Sequence, residues 1–489
     1  MRTTTMLPAV LGALLLGCND LTVGDLNNPG AQTLQDSPTR SGALNLATGL
    51  QVGSRYNLSE PTGYNILLGM LGREIYNLAC SDPRFFGEFI VGPMDGGSPA
   101  FGGNQFTLRY SNIRTGNILL RALAKLPTDP PNPQAGLTTT EKQAITGYTQ
   151  TLQAYDFLRV INTRDSLGAP VDVDIDPLGP PAAIKTRAEV FQHITNLLDS
   201  AVAHLAAGGS TFPFPLSTGY AGFDTPPTFI KFNRALRARV AAYLGTPAEY
   251  AIMQRLLETF PDSTFLDVSG APASFATGVY HSFSGASGDL LNVLHDQPNP
   301  KPIAITINPA LVALRPVGLA QPQTASTLPD KRIVDKTISF SPDTLKCSGI
   351  SSAYASNVYT SNTAPIPIIR NEELILLRAE ERIFNGNTVG AVSDLNIVRQ
   401  GPGNLAPYAG LTDQTSLVNE LLYNRLYSLL FEGGHRWIDL RRFNQLTTIP
   451  QENTTQGLGK RFSRMPFPTN ECLIRNPPPA QGCSPENGF

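Results

Sequence analysis

Residues 424–446 read NRLYSLLFEGGHRWIDLRRFNQL. Glu432, Arg436, Asp439, Arg441 and Arg442 crowd beside Phe431 and Trp437, the single tryptophan of the chain. Arg436 follows Glu432 by four residues, within pairing reach if the turn at Gly433-Gly434 stays compact. Partly buried ion networks fix how helices meet. The block therefore reads as a structural joint between helices and not as a ligand site. Just ahead of it, Leu422, Leu426 and Leu429 stripe one face of a helix.

Working back, residues 365–400 read PIPIIRNEELILLRAEERIFNGNTVGAVSDLNIVRQ. Leu376, Ala379 and Ile383 stripe a helix that ends at Asn385-Gly386-Asn387, and Ala391, Leu395 and Val398 stripe the next. A link this short predicts antiparallel neighbours. The carboxylate pairs Glu372-Glu373 and Glu380-Glu381 read as surface salt-bridging groups. Farther upstream, Thr138-x-x-Glu141 and Thr186-x-x-Glu189 are capping boxes. Tyr148, Leu152 and Tyr155 follow the first, and Val190, Ile194, Leu197 and Ala201 the second. A further helix is expected over about 228–244. It stops at Gly245, and Thr246-Pro247 opens another through about 259. Helix pairs of this kind resemble tetratricopeptide units, but no 34-residue period runs through the chain.

Stretches 80–108, 127–137, 164–185, 207–227, 260–365 and 446–489 read as irregular loops rich in Gly, Pro, Ser and Thr. Loops this long in a compact protein usually carry function. The 489 residues include 43 Gly and 41 Pro, too much turn former for a coiled coil, and the hydrophobic share of 41% is too high for a disordered chain. The net charge of −2, with no long basic run, speaks against a nucleic-acid partner.

Residues 1–17, MRTTTMLPAVLGALLLG, have a positive start and a 12-residue apolar run from Met6 to Gly17. That run is too short to span a bilayer and fits a secretory signal. It ends Leu15-Leu16-Gly17-Cys18, similar to a bacterial lipobox, so Cys18 is the expected lipidation site. The expected order is a signal peptide over 1–17, a lipidated tether over 18–36 and one domain over 37–489. With Cys18 assigned to lipid, Cys80, Cys347, Cys472 and Cys483 remain, an even set for an oxidising compartment. Cys472 and Cys483, 11 apart in a Pro-rich tail, are expected to pair, leaving Cys80 with Cys347.

Catalytic motifs are missing: there is no G-x-S-x-G, H-E-x-x-H, P-loop or C-x-x-C. The five histidines are scattered, so neither a metal site nor a cofactor is expected. Asp172-x-Asp174-x-Asp176 opens like a calcium loop. Pro177 then stands where Gly is needed and Ala183 where Glu is needed, so a solvated acidic loop is the plainer reading.

Together, the two quoted segments and the tail RMPFPTNECLIRNPPP resemble the SusD/RagB family of outer-membrane nutrient-uptake lipoproteins. In that family an Arg opens a helix with a Glu three on and an Ala-Glu pair beyond; these fall on Arg370, Glu373, Ala379 and Glu380. The Asn-x-x-Arg closing the next helix falls on Asn396 and Arg399. The F-E-G-x-R-W-x-D-L-R-R block falls on Phe431, Glu432, Gly433, Arg436, Trp437, Asp439, Leu440, Arg441 and Arg442. Pro466, Pro468, Glu471, Asn476 and Pro477 match the family's tail. Weaker echoes are Tyr110, Ile113 and Asn117, then Gly147, Ala154 and Tyr155, then Asp330-Lys331-Arg332 at the start of the C-terminal region, about 330–489. The second glycine at 434 and Ser428, where a Glu is usual, depart from the pattern.

The resemblance implies a mainly α, SusD-like fold with tetratricopeptide-like helix pairs and a large, irregular, loop-rich ligand face. It also implies a function without catalysis. Such a lipoprotein sits lipid-anchored on the extracellular side of the outer membrane. It captures oligomeric nutrients, usually oligosaccharides, and delivers them to a SusC-like TonB-dependent transporter. Peptides or other polymers are alternative ligands, and a scaffold or adhesion lipoprotein is an alternative role. Sugar sites use aromatic platforms and a few hydrogen bonds. With Trp437 in the structural block, platforms fall to Tyr and Phe. The candidates are Arg84, Phe85, Phe86 and Phe89, roughly where the family's ligand-contacting loop lies, and Tyr280, His281 and Phe283.

Overall fold

The computed structural model describes Leu34 and residues 36–98, 103–176, 179–260, 263–313, 330–452 and 459–489. The expected signal peptide and Cys18 lie outside the described residues, as do most of the tether and Pro177.

The longer helices are α1 (Arg40–Arg55), α2 (Tyr64–Leu71), α3 (Asn104–Lys125), α4 (Thr139–Arg164), α5 (Arg187–Ala206), α6 (Pro226–Leu244), α7 (Pro247–Gln254), α8 (Asn371–Phe384), α9 (Thr388–Gln400), α10 (Gln414–Ser428) and α11 (His435–Arg442). Both predicted capping boxes form. Thr138 Oγ1 accepts from Glu141 N at 3.1 Å while Glu141 accepts from Thr138 N at 2.8 Å. Thr186 and Glu189 repeat the exchange at 3.3 and 2.8 Å. Each box satisfies amides that the first helical turn leaves orphaned.

Consecutive helices pack as neighbours: α3 on α4, α4 on α5, α5 on α6, and α8 on α9 across the turn at Asn385–Asn387. Among the described residues, apolar side chains from Ala43 to Cys472 form one continuous buried cluster. No described helix is long and apolar enough to cross a membrane.

The region read as loop over 260–365 carries short strands. These are β2 (Gly278–His281), β3 (Ile305–Ile307), β4 (Thr337–Ser339), β5 (Leu345–Cys347), β6 (Ile350–Ser352) and β7 (Tyr354–Ser356), with β1 (Ile75–Asn77) before them and β8 (Ile366–Arg370) after. An antiparallel sheet runs β1-β3-β7-β4, with Ile75 opposite Ile307 and Thr306 opposite Ala355. Strands of three residues are too short for alternation to register in a sequence, which is why the region read as irregular. The stretch 80–108 is likewise not all loop, because α3 begins at Asn104.

Residues 431–442 meet β8 and the end of α2, and the pairing there differs from the Glu432–Arg436 contact expected. Glu432 takes Arg370 Nε at 2.8 Å and Lys336 Nζ at 3.2 Å, while Arg436 donates to the Gly72 carbonyl at 2.8 Å. Gly434 bends the chain through the left-handed region (φ 75°), which aims Arg436 at α2. Burial pushes the Glu432 carboxyl up, but Arg370 and then Lys336 outweigh it and hold the group below its usual range.

The carboxylate pairs on α8 are buried, not surface groups. Glu373 pairs with Arg239 and Glu380 with Arg442, at 2.6 and 2.8 Å; Glu372 pairs with Arg370 and Glu381 accepts from Asn385. Asp439 binds Arg425 and Arg442, Arg399 binds Glu420, and Asn396 accepts from the Tyr408 amide. Buried charges persist only with partners of this quality. Trp437, fully buried, donates Nε1 to the Phe462 carbonyl at 2.7 Å, and the Arg441 guanidinium lies 4.6 Å over its ring. Arg332 joins the same region through Asp330, Asn424 and Ser428; the Ser428 hydroxyl accepts from it at 2.9 Å.

Candidate functional site

Both expected disulfides form: Cys80–Cys347 with Cα atoms 5.5 Å apart, and Cys472–Cys483 with Cα atoms 5.8 Å apart. The first aromatic cluster follows Cys80 in the chain. Ile90 O accepts from the amides of Gly459 and Lys460, Met94 and Glu486 exchange backbone bonds, and Gly96 O accepts from Thr469 N. This stitching turns Phe85, Phe86 and Phe89 into the core, where all three are buried and present no face to a ligand. Arg84 is exposed and forks onto Asp82 at 2.9 and 2.7 Å.

The second cluster stands elsewhere. The β2–β8 register sets Tyr280 opposite Pro367 and His281 opposite Ile366. Phe283 is buried beneath the Arg55 guanidinium, whose carbon lies 5.4 Å from the ring centre. Tyr280 is half-buried and donates its hydroxyl to Ala276 O. Tyr280 and His281 line a cleft of about 260 Å³ together with Gln51, Arg55, Ser217 and Tyr220. Gln51 bridges α1 to the loop above it, donating to Pro215 O at 3.1 Å and accepting from Ser217 N at 2.8 Å.

The cleft is built on the C-terminal end of α1. The last carbonyls of a helix lack intrahelical donors and carry partial negative charge. Here Arg109 reaches Ser54 O at 2.9 Å and Gly53 O at 3.2 Å. Arg159 reaches Ser54 O at 2.5 Å, and Asn112 reaches Leu50 O at 3.1 Å. Asp156 binds both Arg109, at 2.8 Å, and Asn112, at 2.7 Å. Arg159 also stacks over the Tyr64 and Tyr155 rings at 4.9 and 5.5 Å. Burial, then the Arg159 charge, brings the Arg109 guanidinium down to about 10.

His281 sits on this cluster, its Nε2 3.3 Å from the Tyr155 hydroxyl. Burial first, then Arg159, Arg109 and Arg55, hold its pKa well below the usual value, so it is a neutral imidazole at pH 7. Arg55 grips Asp289 and Ser282 O, yet its Nε has no hydrogen-bond partner among the described residues. The Tyr220 hydroxyl, also buried, has none either. Gln51, Arg55, Ser217 and Tyr220 were not singled out in the sequence.

The acidic run 172–176 pairs with cations of the chain itself: Asp172 lies 3.2 Å from Lys185 and Asp174 3.1 Å from Arg121. Among the described residues, no three His, Cys, Asp or Glu stand close enough to hold a metal ion.

Residues 347–470 match the SusD family model, SusD_RagB. No curated protein sequence matches the chain. The fold resembles a SusD superfamily protein from Bacteroides vulgatus ATCC 8482, at TM-score 0.60 and 15% identity over 91% of this chain and 98% of that one. It resembles surface glycan-binding protein A from Bacteroides fluxus, at TM-score 0.60 and 14% identity over 89% and 96%. It resembles NanU of B. fragilis, at TM-score 0.58 and 16% identity over 88% and 95%. At such identities the likeness is one of fold. The chain thus carries a SusD family match over residues 347–470, the region that holds the Arg370–Glu432 joint and Trp437, within a fold similar to that of SusD superfamily structures.

Proposed function

We propose that this protein is a surface lipoprotein that captures oligosaccharides and hands them to a SusC-like TonB-dependent transporter of the outer membrane. The signal over 1–17 is removed, Cys18 carries the lipid, residues 18–36 are the tether, and 37–489 act as one ligand-capturing domain without catalysis. The observation that carries this reading is the SusD-like fold, shared over most of both chains with a protein named for surface glycan binding. Affinity in such a site comes from ring stacking and hydrogen bonds, each modest, so several must act together. Tyr280 is the one ring of the two predicted clusters that is partly exposed, and the polar groups around it supply the bonds.

Delivery is tested by affinity purification of the tagged full-length chain from outer membranes of its native cells. The reading expects a TonB-dependent β-barrel to co-purify in near-stoichiometric amount. Recovery of the chain without such a barrel, under mild detergent, contradicts delivery and favours a free-standing scaffold.

A further inference from the structure

The cleft between α1 and β2 holds donors that its own groups do not use, and it lies over a cluster of arginines at the end of α1. Arg55 is 8% exposed and spends both Nη groups on Ser282 O and Asp289, which leaves its Nε–H without an acceptor among the described residues. Tyr220 is 2% exposed, lines the same cleft, and carries a hydroxyl with no partner among the described residues. A buried polar group left unpaired is costly, and native folds keep few of them.

The charges are unbalanced in the same sense. Arg55 and Asp289, which line the cleft, pair with each other, while Arg109 and Arg159 both reach Ser54 O at the end of α1, where Asp156 is the carboxylate paired among the described residues. The carbonyl end of α1 offsets part of the excess, about half a charge. The volume of about 260 Å³ lies just under the usual range of ligand pockets and admits about one sugar ring.

We propose that this cleft binds a single carboxylate-bearing sugar residue, its carboxylate met by the Tyr220 hydroxyl and the Arg55 guanidinium and its ring set against Tyr280. This rests on the glycan-capture reading and adds the chemical class of the sugar. A neutral sugar offers the two donors only weak acceptors and leaves the excess charge uncompensated. A carboxylate supplies both needs with charge-assisted bonds.

The test titrates glucuronate and glucose into the full-length chain and its Tyr220→Phe variant by calorimetry, with melting temperature recorded for both. Phenylalanine removes only the partnerless hydroxyl, so the melting temperature should hold or rise. The wild-type chain should bind glucuronate about tenfold more tightly than glucose, and the variant should lose about tenfold in glucuronate affinity. Equal affinity for the two sugars overturns the proposal, as does unchanged glucuronate binding in the variant. A lower melting temperature also overturns it, since the hydroxyl would then have an internal partner. If the wild-type chain ignores glucuronate but retains a neutral polysaccharide on affinity gels, this inference fails and glycan capture stands. If it retains no glycan at all, both fail.

Discussion

Glu74 lies between α2 and β1 with no solvent exposure, and Glu74→Gln tests how the joint at Phe431 is held. One carboxylate oxygen accepts from the Phe431 amide at 3.1 Å; the other has no partner among the described residues. Phe431 occupies the left-handed region at φ 60°, unusual for a bulky side chain. The Glu74 bond and the Tyr359 hydroxyl on the Phe431 carbonyl, at 2.8 Å, hold it there. Burial pushes the Glu74 carboxyl from 4.5 up to about 8, against the pull of the Phe431 amide and then of Arg436 and Lys336. Between those values the folded chain keeps a proton that the unfolded chain has released. The unfolded state then binds fewer protons, so this group makes stability fall as pH rises from 4.5 to 8. At about 1.36 kcal/mol per unit, the loss reaches on the order of 3 kcal/mol at pH 7 and levels off above pH 8. Glutamine keeps an acceptor for Phe431 and does not titrate. The variant should therefore match the parent near pH 4.5 and exceed it by up to about 3 kcal/mol at pH 7. Unfolding entropy for a chain of 489 residues is about 1 kcal/mol per kelvin, so the melting temperature should rise by about 3 °C. The assay is thermal unfolding of both proteins from pH 4.5 to 8.5, read as the difference between them. A difference that stays constant with pH, or shrinks as pH rises, refutes the buried, protonated Glu74.

The two glycines of the block should respond unequally to alanine. A Cβ at Gly434 (φ 75°) would stand 2.3 Å from Leu68 Cβ, so Gly434→Ala should cost about 2–4 kcal/mol in denaturant unfolding. A Cβ at Gly433 (φ 90°) meets nothing closer than His435 Nε2 at 3.9 Å, so Gly433→Ala should cost only about 1 kcal/mol; equal costs would refute the close approach to α2. Replacing Cys472 and Cys483 together by Ser should cost about 3 kcal/mol and open the tail that stitches down Ile90 and Met94. Limited proteolysis should then cut within 459–489 first, and an unchanged digestion pattern would count against that role.

The joint was legible in the sequence because its charges, its tryptophan and its glycines are adjacent in the chain. The capping boxes were legible for the same reason, since Thr138 and Thr186 find their partners three residues on. Partners distant in sequence were not. Glu373 and Glu380 look like solvated helix charges until Arg239 and Arg442 arrive from elsewhere in the chain. Phe85, Phe86 and Phe89, in a Gly- and Pro-rich stretch, look like a platform. The backbone bonds that bury them come from a tail some 370 residues away. Two helices went unread for different reasons. All eight residues of α2, YNILLGML, are buried, so no periodicity marks it. The stripe of α1 is largely alanine, Ala43 and Ala47 before Leu50, although Thr39 caps its start. Missing α1 hid Gln51 and Arg55, and with them most of one wall of the cleft. Tyr220 carries no local signal; only its burial beside α6 and its idle hydroxyl mark it.

Capture without turnover is measured most directly by presenting the purified full-length chain with a broad panel of immobilised oligosaccharides and polysaccharides, and then examining the same glycans for cleavage. The account predicts saturable retention on at least one glycan, competed by its soluble form, with the glycan recovered intact. Retention on none of the panel, or release of shortened products, would contradict it.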